Sequence, residues 1–129
     1  MSYKLTLKQE PSYLHVIVTG LNSWENVASY LAEIMRECMA RRVYRVLIEE
    51  RLDGPRLGTM DVYQIASEGA DRAKGLFEAI AYVDVNAKGR LMGFAETVAV
   101  NRGLPVTVFA TVDEAKNWLL KGDRAMSGD

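Results

Sequence analysis

The side chains best suited to bind a charged ligand lie in one polar segment, residues 51–59, between an apolar run and an amphipathic run. Thr59 follows Gly58 where a helix is predicted to begin, and the free backbone N–H groups of a helix N-terminus favour a phosphate or a carboxylate. Arg51 and Arg56 would add positive charge. A structural interpretation is preferred, in which Thr59 caps the helix and the Gly-Pro pair forms a turn. The segment is long for a strand-to-helix connection, which keeps a binding role open.

A second set of polar residues follows the next predicted strand. Asp84 and Asn86 come directly after it, and Arg90 comes shortly afterwards. Because ligands bind at the carboxyl edge of an open parallel sheet, we expect this set to join the first as one ligand or partner surface. Asp53, Asp84 and Arg90 would then line a polar pocket, and acid–base chemistry by the aspartates is the weakest of the functional alternatives. For Asn86, capping of the next helix is the preferred interpretation.

The residue types that covalent and metal chemistry need are scarce in this chain. His15 is the single histidine and Cys38 the single cysteine. Without a second histidine or a nucleophile motif, neither a catalytic triad nor a zinc site is expected. Gly89 and Gly93 do not have the spacing of a phosphate-binding or dinucleotide-binding loop. We therefore expect no catalytic residue, no metal and no cofactor, with a structural histidine and a buried, unreactive thiol.

The composition is that of a globular protein with a real core. The chain has 129 residues, 49% of them hydrophobic, and its 16 basic residues nearly balance 17 acidic ones. Such a charge balance provides no basic field for nucleic acid, so no nucleic-acid partner is expected. The longest apolar runs, such as residues 13–18, are too short to span a bilayer, and no signal-peptide core is present. We expect a cytoplasmic protein without a transmembrane segment.

Hydrophobic periodicity predicts the elements that position these residues. The predicted order is β-β-α-β-α-β-α-β-α, an α/β fold with a mixed, mostly parallel five-stranded sheet and about four helices. Strands are predicted near residues 5–8, 13–19, 43–48, 77–83 and 105–109, and helices after Ser23, over residues 59–72, after Asn86 and after Thr111. The last helix is predicted to end at Gly122, so that one domain spans residues 1–121 and a flexible polar tail spans 122–129.

An apolar cavity and a free edge strand are two further candidate binding sites. Six methionines are present, and Met60, Ile65, Leu91 and Phe94 could line an apolar cavity between sheet and helices, although core filling explains such residues more simply. The first hairpin leaves an edge strand that could pair in a homodimer, and its lysines discourage that pairing.

Several segments together resemble the STAS-type domains, and the chain is most similar to their bacterial SpoIIAA-like branch, related to anti-sigma-factor antagonists. These segments are the hairpin, the residues before Thr59, the run Gly93-Phe-Ala-Glu-Thr-Val98, and the ending Val106-Thr-Val-Phe-Ala-Thr-Val-Asp-Glu-Ala-Lys-Asn-Trp-Leu119. The resemblance covers nearly the whole chain.

The resemblance implies a non-catalytic regulatory or protein-interaction domain with a protein partner. In some relatives a hydroxyl residue at the start of the helix after the third strand is phosphorylated, and Thr59 occupies the matching position. The antagonists have an Asp-Ser pair followed by Ser or Thr and Gly, whereas this chain has Leu57-Gly-Thr-Met-Asp61. Some relatives have been linked to apolar or lipid-like ligands, which makes a carrier or sensor of such a ligand the alternative function.

Overall fold

The computed structural model describes residues 3–54, 57–84 and 89–126, with the backbone alone for residues 89–92 and 122–126. In chain order the elements are β1 Tyr3–Gln9, β2 Leu14–Leu21, α1 Trp24–Arg41, β3 Arg45–Asp53, α2 Thr59–Ala73, β4 Ala79–Asp84, α3 Gly89–Asn101, β5 Val106–Phe109 and α4 Val112–Met126. The predicted α/β class, with five strands and four helices, is confirmed. None of the helices in the described part of the chain is both long and apolar enough to span a bilayer.

The five strands form one sheet in the order β1-β2-β3-β4-β5. β1 is antiparallel to β2, and all other neighbours are parallel, as the sequence predicts. β3 is therefore the central strand. The register between β3 and β4 places Ile48 beside Tyr82 and Glu50 beside Asp84, so these four side chains point to the same face of the sheet.

The two faces of the sheet carry different helices. On one face α2 lies between α1 and α3 and contacts both of them. On the other face α4 packs against β3, β4 and β5. Successive side chains of β3 point to opposite faces of the sheet. Val46 and Ile48 belong to the core beneath the three helices, and Leu47 belongs to the core beneath α4. A strand covered on both sides has this continuous apolar character.

Local capping explains where several helices begin and end. The Ser23 side chain accepts a hydrogen bond from the Asn26 N–H and caps α1, as predicted. Thr111 Oγ1 accepts from the Glu114 N–H at 3.2 Å, which confirms the predicted cap of α4. After α3, Gly103 adopts a φ of 91°, a left-handed conformation that glycine reaches without steric cost.

Two predicted boundaries are wrong. β3 continues to Asp53, so Arg51 and Asp53 are strand residues and not loop residues. The reason is pairing, because β2 continues alongside as far as Leu21, and the Asn22 N–H donates to the Asp53 carbonyl at 2.7 Å. α4 continues past Gly122 to Met126, since one glycine within a helix costs only about 1 kcal/mol.

Candidate ligand-binding site

A cavity of about 250 Å³ lies between the sheet and the three helices α1, α2 and α3. Most of its wall is aliphatic, and typical lining residues are Val27, Leu31, Met35, Ile48, Ile65 and Ile80. The volume exceeds that of cavities of roughly 150 Å³ that bind benzene. The space can therefore hold a small organic molecule of roughly ten non-hydrogen atoms.

Small residues on the helices create this space. The side chains that face it include alanines from each of the three helices, among them Ala28, Ala32, Ala66, Ala70, Ala95 and Ala99. Gly69 of α2 also lines the cavity, and a Cβ built on it would meet no atom within 4 Å. Close packing normally fills protein interiors to high density, so a face built from such small residues leaves room for another molecule.

One wall of the cavity is polar and is formed by an acid–tyrosine cluster of Tyr30, Glu50, Tyr82 and Asp84. The Tyr82 hydroxyl donates to Glu50 Oε2 at 2.6 Å, the Tyr30 hydroxyl donates to the same oxygen, and the two hydroxyls contact each other. Glu50 and Asp84 are register partners on β3 and β4, so their carboxyl groups lie side by side on the same face of the sheet. Tyr30, Glu50 and Asp84 are buried, with 0%, 4% and 8% of their surface exposed. Glu50, Tyr82 and Asp84 line the cavity directly.

The electrostatics of the cluster follow from its burial. Burial, together with the hydrogen bond and negative charge of Asp84, raises the pKa of Glu50 to about 7, while the two tyrosine hydroxyls oppose the shift. Burial and the Glu50 charge raise the pKa of Tyr30 and of Tyr82 well above the ordinary value, so both remain neutral hydrogen-bond donors. Two neighbouring carboxylates repel each other when both are ionised, so one of the pair favours the protonated form. The cluster is thus a buried acid pair that can hold a proton near neutral pH.

Arg51 lies on the opposite face of the sheet and does not contribute to the cavity. It forms an ion pair with Glu49, whose other oxygen lies 2.9 Å from His15 Nε2. Burial raises the pKa of Glu49, but the hydrogen bonds from His15 and Arg51 outweigh it and leave the pKa below its ordinary value. Strand alternation turns the Arg51 side chain away from Glu50, and its anion-binding role stays a prediction. His15 is buried against Glu49, in agreement with a structural role.

Thr59 is exposed and is the first residue of α2, but it does not cap the helix as predicted. Gly58 occupies the N-cap position, without a side-chain hydrogen bond, and its carbonyl accepts from the Val62 N–H at 3.0 Å. The helix thus begins one residue earlier than a Thr59 cap would require, which is tolerated because glycine is acceptable at N-caps. Thr59 and Gly58 are accessible, and the phosphorylation of Thr59 stays a prediction.

The predicted pocket between Asp53 and Asp84 does not form. Asp53 is exposed at the end of β3, and its position in the strand places it on the same face as Arg51. Asp84 is buried on the opposite face beside Glu50. Arg56 and Asn86 lie outside the described residues, and the same holds for the side chain of Arg90.

Of the residues predicted to line an apolar cavity, Ile65 does so. Met60 is 76% exposed and Phe94 is 37% exposed, and neither lines the cavity, so their predicted roles are wrong. The helix period explains Met60, because five residues from Ile65 it lies on a different side of α2. The side chain of Leu91 lies outside the described residues.

The sequence reasoning missed Tyr30, Glu50 and Tyr82, although a signal for them exists. Glu50 continues the alternation of Val46 and Ile48 along β3, so its carboxyl group belongs to a core face. Tyr30 lies on the apolar stripe of α1 and is completely buried. An acidic residue in phase with core positions therefore indicated a buried carboxyl group, and a buried carboxyl group needs hydrogen-bond donors.

Covalent and metal chemistry have no support elsewhere in the described residues. Burial raises the pKa of the Cys38 thiol to about 11, which leaves it protonated and unreactive. Within the ranges that the structure describes, no three histidine, cysteine, aspartate or glutamate residues are grouped so that they could hold a metal ion.

No protein-family model matches the chain, and no curated protein is significantly similar to it in sequence. The resemblance to STAS-type domains therefore depends on the residue patterns alone.

Proposed function

We propose that this protein is a non-catalytic binding domain that carries or senses a small, largely apolar molecule in the cavity beneath α1, α2 and α3. The observation that carries the proposal is the cavity of about 250 Å³, lined mainly by aliphatic side chains and bordered at one wall by Glu50, Tyr82 and Asp84. Apolar walls with a few convergent polar groups are the usual composition of small-molecule sites. The walls would supply affinity, and the polar wall would fix the orientation of the ligand.

A homologous series of straight-chain alcohols tests this proposal. Each buried methylene contributes about 0.8 kcal/mol, so affinity should rise about fourfold per carbon from 1-hexanol to 1-octanol and stop rising once the cavity is full. Trp24 lines the cavity, and its fluorescence is a suitable readout, with Trp24→Phe as the silent control. Absence of saturable binding, or affinity that is independent of chain length, would contradict the proposal.

A pair of glycine substitutions locates the binding. Gly69→Leu places a side chain into the cavity and should weaken 1-octanol binding at least about tenfold. Gly93→Leu is the matched control, because Gly93 is also helical, also has free space around its Cβ position and does not line the cavity. Equal 1-octanol affinity in both variants would show that the alcohol binds elsewhere.

The second candidate is the regulatory or protein-interaction function that the STAS resemblance implies. Its support is the exposed start of α2, where Thr59 is accessible and Met60 is 76% exposed beside it. Cytoplasmic residence is part of this proposal, and the single cysteine, which excludes an internal disulfide, is compatible with it. A pull-down from native cells tests it, since a specific partner should be retained by Leu120→Glu, a change at an exposed residue of α4, and lost with Met60→Glu.

A further inference from the structure

The two tyrosines of the acid–tyrosine cluster use their hydroxyl protons within the cluster. Tyr30 and Tyr82 both donate to Glu50 Oε2, and the two hydroxyl oxygens also contact each other. A tyrosine hydroxyl carries one proton, so three close contacts share two hydroxyl protons. Neither tyrosine therefore has a proton left to donate to a molecule in the cavity.

The oxygens of the same groups can still accept hydrogen bonds. Both tyrosines donate to Oε2 of Glu50 and neither donates to Oε1. An ionised carboxylate only accepts hydrogen bonds, and a hydroxyl oxygen that donates its proton keeps its lone pairs. Glu50 and Tyr82 line the cavity directly. The part of the wall that these two residues form therefore offers acceptors to a bound molecule.

Turning a tyrosine hydroxyl toward a ligand would cost the fold one of these hydrogen bonds. Glu50 is buried, with 4% of its surface exposed, and a buried carboxylate that loses a donor is destabilised. A ligand carbonyl or ether oxygen at this wall would either face other oxygen lone pairs or take a donor away from Glu50. A ligand that brings its own O–H avoids both costs, and it adds no further charge to a buried site.

We propose that the ligand of this cavity is a neutral apolar molecule with a hydroxyl group, an alcohol or a phenol, whose O–H donates to the carboxyl group of Glu50. Its hydrocarbon part fills the aliphatic space. This inference depends on the proposed function, because it names the chemical class of the molecule bound at the same site.

The size of the cavity limits the hydrocarbon part. A volume of about 250 Å³ accommodates roughly ten non-hydrogen atoms by comparison with benzene-binding cavities. An alcohol with one short chain or a substituted phenol fits this volume, and a two-chain lipid does not. Suitable probes are 1-octanol, its isomer 1-methoxyheptane and the ketone 2-octanone, because they are similar in size and only the alcohol has a hydrogen-bond donor.

The test compares these three probes by isothermal titration with the full chain at pH 8. This pH lies above the pKa of about 7 to which burial raises Glu50, so its carboxyl group is ionised and accepts. We expect 1-octanol to bind at least about tenfold more tightly than 1-methoxyheptane and 2-octanone. If the ether or the ketone binds as tightly as 1-octanol, the inference is overturned and the proposed function stands. If no probe gives saturable binding, the proposed function itself fails.

Two carboxyl substitutions assign the preference to this wall. Glu50→Gln keeps the shape of the side chain, and its amide oxygen can still accept from the tyrosines while its N–H groups supply a donor that the wall otherwise lacks. The preference for 1-octanol over 1-methoxyheptane should therefore fall to less than about threefold, mainly because the ether binds more tightly. Asp84 also lines the cavity, so Asp84→Asn should act in the same direction and serves as the second variant if Glu50→Gln does not fold.

Glu49→Gln is the matched control, because Glu49 is the adjacent residue on the opposite face of the sheet. It should leave the preference for 1-octanol unchanged. A purely structural effect of the substitutions would weaken the binding of all three probes alike and leave their affinity ratios as they are. Unchanged ratios in Glu50→Gln, or ratios lowered equally by Glu49→Gln, would overturn the inference.

Discussion

Glu50 and Asp84 are register partners on adjacent parallel strands, and both carboxyl groups are buried on the same face of the sheet. Two carboxylates at this separation repel each other when both are ionised, so one of them favours the protonated form. The strand register alone brings them together, since 34 residues of chain separate them. This pairing makes the cavity wall the most polar part of an otherwise aliphatic space.

The raised pKa of Glu50 makes folding stability depend on pH. Between its ordinary value of 4.5 and the folded value of about 7, the folded protein holds a proton that the unfolded chain has released. The contribution of Glu50 is therefore fully present below pH 4.5 and is lost as the pH rises through 7. We expect the free energy of unfolding, measured with urea, to fall by about 2–3 kcal/mol across this interval because of Glu50.

Two substitutions separate this effect from that of other groups. Glu50→Gln should flatten the fall of stability between pH 4.5 and 7. Glu49→Gln should not, because the pKa of Glu49 is lowered and its contribution is lost only as the pH falls below the ordinary value. The titratable groups that face Glu50 from described neighbours are those of Asp84, Tyr30 and Tyr82. An unchanged slope in Glu50→Gln would show that another group is responsible.

The two tyrosine hydroxyls should stabilise the fold through the buried carboxyl of Glu50. Removing one donor to a buried acid group costs about 1–3 kcal/mol, so Tyr30→Phe and Tyr82→Phe should each lower the free energy of unfolding by that amount. The loss should be greater at pH 8 than at pH 5, because an ionised carboxylate needs its donors more. Tyr63→Phe is the control, since Tyr63 is 41% exposed, and it should change stability by less than about 0.5 kcal/mol.

Gly69 offers a stabilising substitution. A Cβ at this position meets nothing within 4 Å, and alanine is favoured over glycine within a helix by about 1 kcal/mol. Gly69→Ala should therefore raise the free energy of unfolding by about that amount in thermal or urea unfolding. Gly103→Ala should lower stability, because its φ of 91° is strained for any residue with a side chain. The same sign for both changes would contradict this account.

The caps of α1 and α2 predict different responses to the loss of a hydroxyl. Ser23→Ala removes the hydrogen bond to the Asn26 N–H and should cost about 1 kcal/mol. Thr59→Ala removes no cap, because Gly58 occupies that position, and it should cost less than about 0.5 kcal/mol. Urea unfolding of both variants measures the difference, and a larger loss for Thr59→Ala would restore Thr59 as the functional cap.

Most of the fold could be predicted because each element carries its own periodicity. The continuous apolar run from Val46 to Ile48 and the Ser23 cap are local signals, and both are present in the structure. The end of β3 could not be predicted, since Arg51 and Asp53 are polar and enter the strand only by pairing with β2. Local composition indicated a loop, and the hydrogen bonds of the neighbouring strand decided otherwise.

The candidate site was harder to predict than the fold, because it combines residues that are distant in sequence. The sequence singles out Asp84 but groups it with Asp53, whereas the structure places it beside Glu50. Its partner Glu50 lies within β3 next to Arg51, and only its phase with Val46 and Ile48 distinguishes it from an exposed polar residue. Tyr30 lies among the buried residues of α1, and the position of its hydroxyl depends on how α1 packs on the sheet.

The placement of α1, α2 and α3 on one face and α4 on the other has a consequence for how occupancy can be observed. A molecule in the cavity touches amides and side chains of the first three helices and leaves the α4 layer beyond the sheet untouched. Amide hydrogen exchange should therefore slow in α1, α2 and α3 on addition of 1-octanol and remain unchanged in α4, so that the same protein contains both the reporting helices and an internal reference.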